Sequence, residues 1–267
     1  MPLSEIDKKL LLIDGLNLIR RLHAALESEK DDIRRIERVQ GACIDAIAKL
    51  VKLFDSTHIA IVFDSPEKTW RHTEYPEYKL GRAPMDDSLF AAIEGFAKVF
   101  RFNHWHCIRL SGWEADDIIA TLASKSAERG VKSIIVSTDK GFTQLLEEPN
   151  IYQYDYFGKQ GFDKDWVVAK YGVFPQQMTD YWAFVGDTTN HIPGIKGIGP
   201  KTAASIFQAE QSIESVFANL EQQSARIQSQ LEGNLDHALW ARKMVTLRQD
   251  VSLGIRLSQL EIRSTNG

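Results

Sequence analysis

The residues whose types and spacing promise chemistry lie in Gly112-Trp113-Glu114-Ala115-Asp116-Asp117-Ile118-Ile119-Ala120-Thr121. Three carboxylates fall within four positions at the start of an apolar-periodic run. On a helix, Glu114, Asp117 and Ile118 share one side and Asp116 points round toward the next. Like charges at this spacing repel, and a helix N-terminus lessens the cost because its dipole favours negative charge. The stretch reads in two ways: as a charged helix start, or as a site for Mg²⁺ or Mn²⁺, which take carboxylate oxygens and water.

Further acids stand where strands should end. Lys9 to Ile13 is a short apolar run followed by Asp14-Gly15, and His58 to Phe63 is another followed by Asp64. Lys132 to Ser137 leads to Thr138-Asp139-Lys140-Gly141. Fully apolar strands belong to parallel sheets covered on both faces, and ligands of such sheets bind beyond the carboxyl ends of the strands. Asp14 also suits a cap for a helix starting near Leu16. A parallel sheet would gather Asp14, Asp64, the 114–117 group and Asp139 at one edge. Such a cluster calls for cations, and two of them about 4 Å apart would clamp the attacking and leaving oxygens of a phosphodiester displacement. No Ser–His–Asp or Cys–His pattern competes.

The elements that must position these acids alternate. The spacing predicts helices over 31–54, 85–100 and from the acid cluster to about Arg129, where Gly130 stops it. A strand is expected at 106–110 and an extended segment at 151–157, which gives an α/β fold with a parallel-rich central sheet flanked by helices. Residues 65–84 have no sustained apolar face and interleave aromatics with Lys68, Arg71, Lys79 and Arg82. That mixture suits bases and phosphates, or a solvated loop with packed aromatics. Helices are expected at 164–171 and 175–185. A Gly- and Pro-rich hairpin then enters a helix near Pro200, and the chain reads as helical from Ile206 to Leu260. Gly197 and Gly199, with a helix N-terminus behind them and Lys201 beside them, make a phosphate seat, unless the segment is a bare turn.

Composition sets the outer limits. The 267 residues suffice for one large domain, or one with a smaller addition. Lys+Arg number 32 and Asp+Glu 36, a balance of −4 that does not by itself suggest nucleic acid. It would mislead if many acids were sequestered round metal ions. Two cysteines, Cys43 and Cys107, exclude zinc spacing and a disulfide framework, and cytoplasmic chemistry is the expectation. The polar N-terminus predicts no signal peptide. No apolar run reaches membrane-spanning length.

Together these motifs resemble the 5′-nuclease superfamily of flap endonucleases, most closely its Xni (exonuclease-IX-like) type. Leu-Ile-Asp-Gly at 12–15, Phe-Asp at 63–64, Tyr-Lys at 78–79, Glu-Ala-Asp-Asp at 114–117, Thr-Asp-Lys at 138–140 and Gly-Ile-Gly-Pro-Lys-Thr-Ala at 197–203 stand in family order. The resemblance implies a 5′-nuclease (PIN-like) core over 1–160 with an arch at 65–84. It implies a helical C-terminal region over 161–267 with a helix–hairpin–helix at 184–203. The implied activity is Mg²⁺-dependent cleavage near the junction of branched or 5′-flap DNA, as in replication and repair, by a free-standing nuclease with no obligate protein partner. Asp14, Asp64, Glu114, Asp116, Asp117, Asp139 and Asp187 match metal-binding acids, Asp116 foremost. Lys79 and Arg82 match the catalytic arch contacts to the scissile phosphate. Gly197, Ile198, Gly199, Pro200, Lys201 and Thr202 match the duplex-binding hairpin. Phe184, Val185, Pro193, Ile195 and Ile198 match main-chain ligands of a K⁺ ion. In two places the chain departs from the family: Gly141 and Asn190 stand where it usually has acids that hold a second metal, and His191 stands where it has Asn. A branched-DNA binder with weakened catalysis, or an RNA-directed nuclease, are the rival readings.

Overall fold

The computed structural model describes residues 8–262, so the polar stretch at 1–7 lies outside the described residues. Its centre is a sheet ordered β3-β2-β1-β4-β5-β6. Strands β1 (Lys9–Asp14), β2 (His58–Val62), β3 (His106–Ile108), β4 (Lys132–Val136) and β5 (Ile151–Asp155) run parallel, and β6 (Gln160–Phe162) closes the edge antiparallel to β5. Leu12 of β1 pairs with Ala60 on one side and Ile135 on the other. Alternation within β1 divides the core. Leu11 and Ile13 pack with α1 (Gly15–Ala25), α2 (Asp32–Phe54) and α4 (Asp87–Phe102), through Leu18, Ile47 and Phe96 among others. Leu10 and Leu12 pack on the opposite face with Ile118, Ile119 and Leu122 of α5 (Ala115–Ala127). Period-two side chains covered on both faces are what turn a short apolar run into a central strand.

This order places β1 beside β4, and the chain leaves the two strands toward opposite faces. After β1 it enters α1, whose Leu18 and Ile19 join one core. After β4 it enters a 3-10 turn, Lys140–Leu145, whose Phe142 and Leu145 join the other. A crevice opens at such a divergence, outside the carboxyl ends of the strands.

Residues 65–84, expected to lack regular structure, contain a short helix α3 (Trp70–Glu74) and a buried Tyr78. Beyond β6 come α6 (Lys164–Tyr171), α7 (Met178–Val185), a two-stranded hairpin of β7 (Gly186–Asp187) and β8 (Ile192–Pro193), then α8 (Pro200–Ala209), α9 (Ile213–Ala218), α10 (Ala225–Leu231) and α11 (Leu235–Val245). Gly194 lets the hairpin close: a Cβ there would lie 2.4 Å from the carbonyl carbon of Val185 and 2.5 Å from the amide nitrogen of Gly186. The helical reading of 206–260 is corrected after Val245. From 246 to 256 the chain runs back across α5 without helix, because side chains take its backbone groups, and a 3-10 turn follows at Leu257–Leu260. Arg71 donates to Thr246 O at 2.8 Å, Arg248 N–H donates to Asp117 Oδ1 at 2.9 Å, and the Thr121 hydroxyl donates to Arg248 O at 3.1 Å.

Arg71, read from sequence as a phosphate contact, is instead the knot of this region. It is 2 % exposed. Nε donates to Met244 O at 2.9 Å, Nη1 to Glu114 Oε2 at 2.5 Å and Asp117 Oδ2 at 2.8 Å, and Nη2 to Asp117 Oδ1 at 2.9 Å and to Thr246 O. All five guanidinium protons are thus spent. Breaking a buried pair from one side strands the other charge, so Arg71→Ala should cost about 3–5 kcal/mol in urea denaturation. Arg71→Lys should recover little of it, since one ammonium cannot replace the planar fork. A cost under about 1 kcal/mol would show that α3 and the C-terminal return are held by other contacts.

Candidate active site

The strand-end acids meet at the crevice, and each is fixed by the turn it begins. Asp14 is the N-cap of α1: Oδ1 accepts the Asn17 N–H at 3.0 Å, and Oδ2 accepts the Ser137 hydroxyl at 3.0 Å. Its capping role and its place in the cluster are therefore compatible. Asp64 follows β2 and caps α5 from outside, accepting the Ala115 N–H at 2.8 Å. Asp116 lies in the first turn of α5. Asp139 follows β4 and accepts the Gly141 N–H at 2.7 Å. The buried Gln153 amide pins that strand end, donating to Ser137 O at 3.0 Å and Asp139 O at 2.6 Å.

Electrostatics shows how tightly the four are drawn together. Burial pushes the Asp14 carboxyl up to about 7, helped by Asp64 and Asp139 and opposed by the Asn17 N–H and the Ser137 hydroxyl. Burial also raises Asp116 well above the ordinary carboxylate range, and Asp139, Asp14 and Asp64 add to it while Lys79 opposes. These are carboxylates crowded in a partly dry site with too little positive charge.

Two acids of the 114–117 group, both expected as metal ligands, already have protein partners. Asp117 is fully buried with both oxygens taken, by Arg71, by the Trp70 indole N–H at 3.1 Å and by Arg248 N–H. Glu114 accepts Arg71 and the Tyr78 hydroxyl on Oε2, and Lys79 Nζ on Oε1 at 2.5 Å. Burial would raise the Glu114 carboxyl, but Lys79 and Arg71 together hold it below its usual value. Lys79 is held in turn. Burial works against its charge, and Glu114, Asp116 and Asp64 outweigh that and raise its pKa. Its backbone is left-handed, φ 58°.

Asn17, Glu114, Asp116, Asp139, Lys140 and Asp187 line a cleft of about 510 Å³. Asp187 reaches it from the hairpin. Its Oδ1 accepts the Thr189 and Asn190 N–H groups at 2.9 and 3.2 Å, and its Oδ2 accepts the Asn190 amide. Arg82 also meets this turn, donating to Thr189 O at 3.2 Å and Asn190 Oδ1 at 2.8 Å.

Asp14, Asp64, Asp116 and Asp139 form an all-oxygen donor set whose mutual repulsion a divalent cation would relieve, and in that respect they fit one. Among the described residues no three His, Cys, Asp or Glu side chains are already drawn close enough to hold an ion, so a cation here would keep water ligands, as Mg²⁺ does. Asp187 and Gly141 offer less to a second ion: the Asn190 amide already donates to Asp187 Oδ2, and Gly141 brings no acid.

Of the hairpin positions expected to hold K⁺ through carbonyls, Phe184 O accepts the Ile195 N–H at 2.9 Å and Ile195 O accepts the Ile198 N–H at 3.0 Å. Pro193 O lies 3.0 Å from His237 Nε2. Each oxygen has a second lone pair to offer. Val185 ends α7, and Ile198 is buried. At the phosphate seat Gly197 has φ 89°, Gly199 leaves the N-terminus of α8 without a side-chain cap, Pro200 starts the helix, and Lys201 is exposed beside half-buried Thr202.

Sequence reasoning missed Asn17, Ser137 and Gln153, which hold the acids, and the structural role of Arg71. Only Asn17 left a signal, three positions after a capping aspartate.

Family models for 5′-3′ exonucleases match the whole of this region. The N-terminal resolvase-like domain covers residues 9–172 and the C-terminal SAM fold covers 173–267. The chain is 40 % identical over 260 residues to a protein of Photorhabdus laumondii named flap endonuclease Xni, covering 95 % of this chain and 97 % of that one. It is 39 % identical over 255 residues to the Shewanella pealeana protein of the same name, covering 96 % and 97 %. Its fold matches T5 5′-exonuclease with bound zinc at a TM-score of 0.78, with 18 % identity and 89 % of each chain covered. It also matches a T5 flap endonuclease in a pseudo-enzyme–product complex with DNA and metal ions, at a TM-score of 0.71, 19 % identity, and 90 % and 89 % coverage.

The crowding has a consequence for stability. Asp116→Asn removes a half-buried carboxylate, crowded by Asp139, Asp14 and Asp64, with no hydrogen-bond partner of its own to lose among the described contacts. In metal-free buffer at neutral pH it should raise the melting temperature by about 2–4 °C, the effect of roughly 1 kcal/mol. A further rise produced by a divalent cation in the wild type should be absent from this variant. A lower melting temperature would mean that Asp116 is held by the fold and not merely tolerated by it.

Proposed function

The chain belongs to the 5′-3′ exonuclease family, and from that premise we propose that it is a structure-specific 5′-flap endonuclease hydrolysing phosphodiesters near the junction of branched DNA. The observation that carries this reading is the convergence of Asp14, Asp64, Asp116 and Asp139 from four separate segments onto the carboxyl ends of parallel strands, with their charge uncompensated. Mg²⁺ is the proposed cofactor, held by these four residues. When bound it supplies a water of lowered pKa and neutralises charge on the phosphate.

The chain's own residues do the rest. Asn17, Ser137, the Ala115 N–H and the Gly141 N–H fix the carboxylates before any substrate arrives, so no reorganisation is needed at the moment of reaction. Lys79 and Arg82, on the segment that borders the cleft, provide positive charge for the scissile phosphate. Glu114 keeps the Lys79 ammonium charged and aimed. Trp182 and Val185 line the same cleft as Asp116 and Asp139. At a distance, the uncapped N-terminus of α8 with Gly197, Gly199 and Lys201 takes duplex phosphates without reading bases. The hairpin carbonyls of Phe184, Val185, Pro193, Ile195 and Ile198 are proposed to seat K⁺ between protein and phosphate. No helix among the described residues is long and apolar enough to cross a membrane, and we place the work in the cytoplasm, in replication and repair. The occupied Asp187 and the glycine at 141 favour one rival, a branched-DNA binder with weakened turnover.

Cleavage decides between them. The wild type should cut a 5′-flap DNA in Mg²⁺, and Asp116→Ala should lower the rate by at least about a hundredfold while leaving flap binding in EDTA within a factor of about two. Binding without cutting over a range of Mg²⁺ and Mn²⁺ would establish the rival, and preferential cutting of an RNA flap would reassign the substrate. Replacing K⁺ by choline at constant ionic strength should weaken duplex binding roughly threefold to tenfold, the worth of one charge-assisted contact. Equal binding in both salts would remove K⁺ from the hairpin.

A further inference from the structure

Arg82 and Asn190 are 108 positions apart, yet they hydrogen-bond at the hairpin turn whose Thr189 and Asn190 line the acidic cleft. Three contacts tie the two segments. Arg82 Nη2 donates to Asn190 Oδ1 at 2.8 Å, Arg82 Nε donates to Thr189 O at 3.2 Å, and the Lys79 N–H donates to Asn190 O at 3.1 Å. On its other side Asn190 donates from Nδ2 to Asp187 Oδ2 and from its backbone N–H to Asp187 Oδ1. We propose that Asn190 is a positioning residue for the reaction: its amide joins Asp187 to Arg82 and so holds the Arg82 guanidinium over the cleft, ready for the phosphate.

The chemistry of the side chain makes the point. A carboxamide can accept from a guanidinium and donate to a carboxylate at the same time. A carboxylate at this position would still accept from Arg82. It would have nothing to donate to Asp187, and the two acids would repel unless a cation lay between them. Alanine does neither. The amide therefore does without a cation what a pair of acids would need one to do. Arg82 itself is exposed and uses only two of its five N–H groups here, which leaves a charged donor face free for an incoming anion. The tie reaches the backbone too: Lys79 and His191 both have left-handed backbones, φ 58° and 59°, and Gly81 packs toward the His191 ring. The Asn190 backbone carbonyl thus also holds the Lys79 backbone, a contact that does not depend on the amide. The target phosphate rests on the nuclease reading given above; the tie itself does not.

Two measurements test it on the full chain. In the first, flap cleavage is compared for the wild type, Asn190→Ala, Arg82→Ala and the double variant. Arg82→Ala should lower kcat/KM about a hundredfold and Asn190→Ala about tenfold, while adding Asn190→Ala to Arg82→Ala should cost less than about twofold, because the amide acts through the guanidinium. Losses that multiply, or an Asn190→Ala enzyme as active as the wild type, would overturn the proposal. The second is limited trypsin digestion without metal or DNA, following cleavage after Lys79 and Arg82. Asn190→Ala should raise that cleavage about tenfold. Asn190→Asp, which keeps an acceptor for Arg82 but repels Asp187 when no cation is present, should fall between the wild type and Asn190→Ala. Unchanged digestion of Asn190→Ala would sink the tie whatever the kinetics show. A wild type that cuts no flap would sink the nuclease reading alone, and the trypsin comparison would still decide the role of Asn190.

Discussion

The buried Arg71 guanidinium is the constraint on which the rest of the structure depends. It joins three parts of the chain that sequence separates widely: α3 at the base of the cleft-bordering segment, the first turn of α5, and the return after α11. Burial works against its charge, and hydrogen bonding to Asp117, then the charges of Asp117 and Glu114, more than restore it. A buried ion pair is weak evidence for stability in itself. Here it supplies geometry. Two carboxylates and two carbonyls round one planar fork admit a single arrangement, and that arrangement fixes where α5 begins relative to the sheet.

Where α5 begins decides the fate of its acids. Asp116 and Asp117 are neighbours in sequence, and one residue along a helix turns the side chain by about 100°. That turn separates a carboxylate saturated by Arg71, Trp70 and a backbone N–H from one that faces Asp14, Asp64 and Asp139 with Lys79 as its counter-charge. Glu114 stands between the two environments, sharing Oε2 with the knot and Oε1 with Lys79. The knot thus carries the acids' surplus charge on one side and leaves it exposed on the other. A fold that wanted only stability would not leave Asp14 and Asp116 as they are.

Much of this was legible in the residues. Strands that end in acids, with helices between them, predict a parallel sheet and a shared edge, and β1, β2 and β4 pair in parallel, with Asp14 at the end of β1 and Asp64 and Asp139 beyond the ends of β2 and β4. The hairpin before Pro200 was legible from glycine and proline, since φ and close approach are local properties. The partners of charged side chains were not. Arg71, Lys79 and Arg82 look alike in sequence, spaced among aromatics. One is buried in a knot, one is half-buried on Glu114, and one is exposed on the hairpin turn. Such differences are set by contacts across 35 to 175 positions, which no local pattern encodes. The non-helical return after Val245 escaped for the same reason: its backbone groups are claimed by side chains of α3 and α5.

The two positions where the chain lacks an acid share a physical form. At Asp139 the neighbouring Gly141 brings its N–H to 2.7 Å of Oδ1, and a Cβ there would sit 3.1 Å from that oxygen. At Asp187 the Asn190 amide and backbone N–H approach both oxygens. In each place an N–H donor meets the remaining carboxylate where a further carboxylate would have required a cation. Hydrogen bonds to the charged form favour it without importing charge. The surroundings are therefore uneven: Asp14 and Asp116 face other carboxylates, whereas Asp187 on the hairpin is met by N–H donors, and the Asn190 amide that supplies one of them also accepts from Arg82.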